Sequence, residues 1–66
     1  MDGIEIHTVD VHVSVGHFPP IAEGTEISRV TVAARGPWEA QLIAAQMAQS
    51  HPGRVAVRTT WINCII

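Results

Sequence analysis

From Ile4 to Val15 apolar and polar residues alternate, in the order Ile4-Glu5-Ile6-His7-Thr8-Val9-Asp10-Val11-His12-Val13-Ser14-Val15. A period of two is the mark of a strand with one face buried and one face wet. The stretch therefore commits the chain to a sheet. Its apolar residues are even-numbered at Ile4 and Ile6 and odd-numbered from Val9 to Val15, so a straight strand would turn one set outward. A β-bulge near His7-Thr8 would restore the phase. With that bulge Glu5, His7, Asp10, His12 and Ser14 all point away from the core.

The glycines Gly3, Gly16, Gly24, Gly36 and Gly53 stand where one pattern stops and another begins. Gly16 to Glu26 reads as an 11-residue loop, because Pro19 and Pro20 lack the backbone donors that a central strand needs. Phe18 and Ile21 are its large apolar side chains, expected to fold back as a lid over the core, with a partner-binding tip as the second reading. Ile27 to Arg35 is strand-like, with Val30, Val32 and Ala34 on one face and Arg29, Thr31 and Ala33 on the other. Gly36-Pro37 ends it and starts a helix: proline suits the first helical turn and Glu39 favours the positive end of the helix dipole. Trp38 to Ser50 is rich in helix formers, and His51-Pro52-Gly53 stops it.

At 100° per residue Ala40, Ile43, Ala44, Met47 and Ala48 make one broad face, expected to pack on the sheet. Trp38 and Leu42 fall outside it as a second apolar stripe. Either that stripe is a contact surface or Trp38 folds over the end of the sheet. Arg54 to Ile66 closes the chain as a strand, with Val55, Val57, Thr59 and Trp61 on one side and Ala56, Arg58, Thr60, Ile62 and Cys64 on the other. Its second half is apolar on both faces, which suits the middle of a sheet or an interface. The sheet face without the helix, with Thr8 or His7, Ile62 and Cys64, is a second candidate for sharing with another subunit. The predicted fold is α+β, a two-layer ββαβ sandwich over residues 1–66 as a single domain, with one helix on a three-stranded sheet of order 2-1-3, or 1-2-3 as the alternative.

A core of this size leaves little surplus stability, and small domains add disulfides, a metal or self-association. Cys64 is the one cysteine, so an internal disulfide and a cysteine-rich zinc site are excluded. With hydrophobic residues at 47%, oligomerisation is the expected supplement. Six acids against four arginines give a formal charge of −2, which disfavours nucleic acid. Convergence of Arg29, Arg35, Arg54 and Arg58 into a small basic patch is the minor alternative. The first residues lack a secretion signal and no apolar run is long enough to span a bilayer, so no membrane is expected as a partner.

His7, His12 and His17 recur every five residues around Asp10, and imidazoles with a carboxylate suit zinc, nickel or copper when three converge. Odd spacing puts neighbours on opposite faces of a regular strand, so His7, Asp10 and His12 form a ligand set only if the bulge exists. A solvated strand face is the plainer reading. His51 is expected to serve the helix end, and Cys64 to be a small core residue, inert in an apolar strand. Pro37 stands where a phosphate-binding loop needs an N–H, and the chain lacks the N-terminal proline of small tautomerases. No catalytic residues and no cofactor are assigned, and the reading is not an enzyme.

The stretch Val30-Thr-Val-Ala-Ala-Arg-Gly-Pro-Trp-Glu-Ala-Gln-Leu-Ile-Ala-Ala-Gln-Met-Ala-Gln-Ser-His-Pro-Gly53, with the Val-rich strand after it, resembles small uncharacterised proteins of actinobacteria and their phages. Ala-Ala-Gln-Met-Ala carries most of that likeness, which covers about half the chain. It implies a cytoplasmic accessory protein, in the host cytoplasm if phage-encoded, and transfers no catalytic residue. The functional expectation is a non-enzymatic protein-interaction module, a homo-oligomer, expected to be a dimer, or a binder of a host protein. Its expected contacts are Trp38, Leu42, Phe18, Ile21, Trp61, Ile62 and Ile66. The alternative is a metal- or small-ligand-binding protein using His7, Asp10 and His12.

Overall fold

The computed structural model describes residues 3–65. The elements run β1 (Glu5–Val15), β2 (Glu26–Ala34), α1 (Pro37–Ala48) and β3 (Arg54–Cys64). They build an α+β fold with one open sheet of order β2-β1-β3, in which β1 is antiparallel to both neighbours. The expected 2-1-3 order follows from connection lengths. The loop after β1 lets β2 fold back beside it, and β3, parallel to β2, needs the helical crossover that α1 provides.

β1 pairs with β2 without interruption from Glu5↔Ala34 to Val13↔Glu26, so the bulge expected at His7-Thr8 is not in β1. The irregularities lie in β3. There Ile62 falls between the partners of Thr8 and Val9, and Val57 between those of His12 and Val13. Bulges belong on edge strands, where an unpaired residue disturbs one ladder only. Because β1 stays regular, His7 lies on the same face as Val9, Val11 and Val13, and Ile6 joins Thr8, Asp10, His12 and Ser14 on the other. The expected faces of β3 are corrected as well. Paired residues share a face, which places Ala56, Thr59, Trp61 and Cys64 on the helix side and Val55, Arg58, Thr60 and Asn63 on the open side. His7 and Cys64 are thus not part of the open face.

The core lies between the sheet and α1: Val9, Val11, Val13, Val32 and Ala34 against Ala40, Ala44 and Ala48, with Val15, Val30, Ile43 and Ala56 at its margin. Alanines let the helix sit close to the valines. A sheet of three strands is about 10 Å wide, scarcely more than the helix diameter. Only a narrow stripe of α1 is therefore covered. Ala40, Ala44 and Ala48 are buried as expected, whereas Met47, at the margin of that stripe, is 52% exposed. Trp38 does not fold over the sheet; it is 74% exposed.

Glu39 accepts a hydrogen bond from the Arg35 N–H at 2.8 Å and so closes the helix start, where Gly36 offers no side chain. At the other end the Arg54 guanidinium donates to the Ala48 carbonyl at 3.1 Å, a cation on the negative end of the dipole. Gln41 and Gln49 tie the helix to β3, through the Thr59 hydroxyl at 2.8 Å and the Ala56 N–H at 2.9 Å.

The Gly16–Thr25 connection is bonded back onto the end of β1. The Thr25 N–H donates to the Val13 carbonyl at 2.8 Å and the Thr25 hydroxyl accepts from the Val15 N–H at 3.1 Å. The Ile21 N–H donates to the buried Ser14 hydroxyl at 2.9 Å. Phe18 nonetheless stands 81% exposed, so it is not the lid that was expected. The loop is held by its backbone rather than by its largest side chain. Ser14→Ala removes the acceptor of the Ile21 amide, a loss of about 1 to 2 kcal/mol. Amide exchange at Ile21 is expected to speed up by about tenfold while Val11 in the central strand stays protected.

Candidate functional site

At the Glu5 end of the sheet, β1 and β3 bring three chemically different donors together on the helix side. Glu5 and His7 are two apart on β1 and therefore share a face, and Cys64 is the register partner of His7 across to β3. That pairing depends on Ile62. Without the extra residue the alternation of β3 would place Asn63 opposite His7 and carry Cys64 to the other face. One ligand atom from each of Glu5, His7 and Cys64 lies within 4.8 Å of the others.

His7 is buried, with 1% of its surface exposed, while Cys64 is exposed and not the core residue the sequence suggested. Trp61 covers the imidazole, its ring tilted 56° at a centroid distance of 6.3 Å. The indole N–H donates to His7 Nδ1 at 3.0 Å. An imidazole nitrogen that accepts carries no proton, so in the neutral ring the proton sits on Nε2. Nε2 faces Glu5 Oε1 at 3.4 Å, and among the described residues it is a buried polar atom with no hydrogen-bond partner.

The other histidines are elsewhere. Asp10 and His12 lie on the open face, opposite His7, so the structure does not bring His7, Asp10 and His12 together. Asp10 instead forms a two-pronged pair with Arg29, its register partner, at 2.7 and 3.0 Å. Those hydrogen bonds hold the Asp10 carboxyl below the usual carboxylate range, helped by the charges of Arg29 and His12 and opposed by burial. A carboxyl depressed in the folded chain adds stability above its unfolded pKa, and that contribution fades as pH falls through the folded one. Arg29→Ala is expected to move the Asp10 titration upward, read from its carboxyl carbon by NMR, with little change in stability because the pair is exposed.

Arg29 and Arg58 lie on the open face and Arg54 on the helix side, where Glu26 pairs with it at 3.4 Å. Arg29, Arg54 and Arg58 therefore do not gather on one face. A hollow of about 260 Å³ at the end of α1, lined by Ser28, Met47, His51 and Arg54, has its guanidinium already engaged by Ala48 and Glu26.

The expected contact residues that the structure describes are on the surface. Trp38 and Leu42 sit on the outer side of α1 at 74% and 50% exposure, and Trp61 and Ile62 on β3 at 38% and 37%. Phe18 and Ile21 belong to the loop at the opposite end of β1. Ile66 lies outside the described residues. Among those residues no helix is long and apolar enough to cross a membrane. Reading along the sequence put Glu5 and His7 on one face but missed Cys64 beside them and the bond from Trp61, since these depend on the two extra residues of β3, Val57 and Ile62, and no local pattern announces them. Comparison with protein-family models, curated proteins and solved structures finds no match to this chain.

Proposed function

We propose that the chain is a non-enzymatic interaction module that works as a homo-oligomer, with a second copy of itself seated on the outer side of α1. The observation that carries this reading is the exposure of Trp38 at 74% and Leu42 at 50%, one helical turn apart on the same side of the helix. An indole on a helix that is already packed on its sheet has no fold-stabilising reason to stand in water.

Two features favour a second copy as the occupant. Glu39 is the one charged residue of α1, whose remaining exposed positions are Pro, Trp, Leu, Gln and Met. Two such helices can therefore face each other across a two-fold axis without setting like charges together. The second feature is area. A stable interface takes about 800 Å² from each partner, about a fifth of this subunit's 4340 Å². Trp38 and Leu42 are too few to supply that, and the Gln and Ala positions that flank them on α1 complete the face. The likeness of Val30–Gly53 to small proteins of actinobacteria and their phages adds a setting, an accessory protein in the cytoplasm.

Size-exclusion chromatography with light scattering tests the reading. The wild-type chain is expected to run as a dimer and the Trp38→Ala/Leu42→Ala variant as a folded monomer. A dimer that survives both substitutions contradicts the use of this stripe.

A further inference from the structure

We propose that Glu5, His7 and Cys64 form a binding site for a thiophilic divalent cation, zinc by its donor set, and that Trp61 opposes metal entry by selecting the wrong tautomer of His7. The proposal is independent of the dimer. It rests on the cluster of three ligand atoms within 4.8 Å and on the buried, unpartnered Nε2 of His7 that is aimed into it.

Geometry and donor chemistry agree. With bonds of about 2.0 to 2.3 Å, a tetrahedral zinc ion separates its ligand atoms by about 3.3 to 3.7 Å. The 3.4 Å between His7 Nε2 and Glu5 Oε1 already falls in that range. It is too long and too poorly aligned for a good hydrogen bond. Cys64 needs to close by about 1 Å at most, which an exposed side chain near the end of an edge strand can do. One nitrogen, one sulfur and one oxygen from two paired strands would leave a fourth position for water. The bulge at Ile62 is the device that aims Cys64 at His7, in keeping with the role of bulges in redirecting a side chain.

Trp61 makes the site unusual. A metal-bound histidine normally donates from its other nitrogen, which leaves the coordinating nitrogen with its lone pair. Here the other nitrogen accepts from the indole N–H, so Nε2 holds the proton that a metal must replace. Coordination therefore requires the proton to move to Nδ1 and the indole to withdraw. Trp61, 38% exposed, lies on the surface and can do so. Trp61→Phe keeps the ring cover and removes the donor. It is expected to bind more tightly, by about tenfold, the lower end of what partners of metal-bound histidines are worth.

The test is titration of the full chain with zinc and, as a spectroscopic probe, cobalt(II). The proposal predicts one equivalent bound per chain, a cobalt–thiolate absorption band, a change in tryptophan emission, and tighter uptake by Trp61→Phe. Cys64→Ser, at an exposed position where the fold is not at stake, is expected to abolish the thiolate band and weaken zinc by at least tenfold. Uptake unchanged in Cys64→Ser would place the metal on the surface histidines and overturn the proposal. So would absence of uptake by both the wild type and Trp61→Phe, or weaker uptake by Trp61→Phe.

Discussion

Gly24→Ala is expected to cost about 2 to 5 kcal/mol, more than the same change at the other glycines with a positive φ. Two causes add. Gly24 holds a φ of +81°, where a side chain costs about 1 to 2 kcal/mol. A Cβ there would also meet Val13 N at 3.1 Å, His12 C at 3.2 Å and Val13 O at 3.2 Å, all backbone atoms of the central strand. Backbone of β1 cannot give way as a flexible side chain would, because it is bonded on both edges. A domain of 66 residues has a total stability of about 3 to 10 kcal/mol, so the loss is a large share of the whole. Gly16→Ala separates the causes, since Gly16 has a φ of +75° and nothing within 4 Å of its Cβ position. Urea unfolding should show a modest fall in midpoint for Gly16→Ala and a fall at least twice as large for Gly24→Ala. Equal falls would mean that the close approach of the loop to β1 carries no energy.

The second large effect is on association. Trp38→Ala is expected to weaken dimerisation by about 30-fold or more, since a buried tryptophan at an interface centre is commonly worth about 2 kcal/mol or more. Leu42→Ala adds about 1 kcal/mol. The stability of the subunit itself should hardly change, because at 74% and 50% exposure neither side chain is part of the core. That contrast is the useful readout. In the wild type the thermal midpoint should rise with protein concentration, as mass action requires of a dimer, and in the double variant it should be flat.

The order of elements and the sheet topology could be read from the sequence because they rest on local signals: alternation in β1, Gly36-Pro37 at the helix start, His51-Pro52-Gly53 at its end. Even the phase change between Ile6 and Val9 was a real signal, but of a different kind. β1 does not bulge; Ile4 is left 39% exposed and Ile6 faces away from the helix. His7 is the residue that goes in. A polar side chain at a core position looks, in sequence, like a break in the pattern. Trp61, far along the chain, satisfies only one of the two ring nitrogens of His7. The register of β3 was out of reach for a related reason. Thr59, Thr60 and Trp61 fit either face, and nothing in Val57 or Ile62 marks them as the unpaired residues. The place of Trp38 and Leu42 off the alanine stripe, by contrast, followed from helical geometry, although whether Trp38 stood in water or folded over the sheet stayed open until the width of the sheet was known.

Sedimentation equilibrium of the wild-type chain at micromolar concentration tests the central claim most directly. A dimer seated through α1 has a mass of about 14 kDa, two copies of the 7.1 kDa chain, and this is the expected result. A species that remains at 7.1 kDa as concentration is raised, with Trp38 still open to solvent quenchers of its fluorescence, would contradict it.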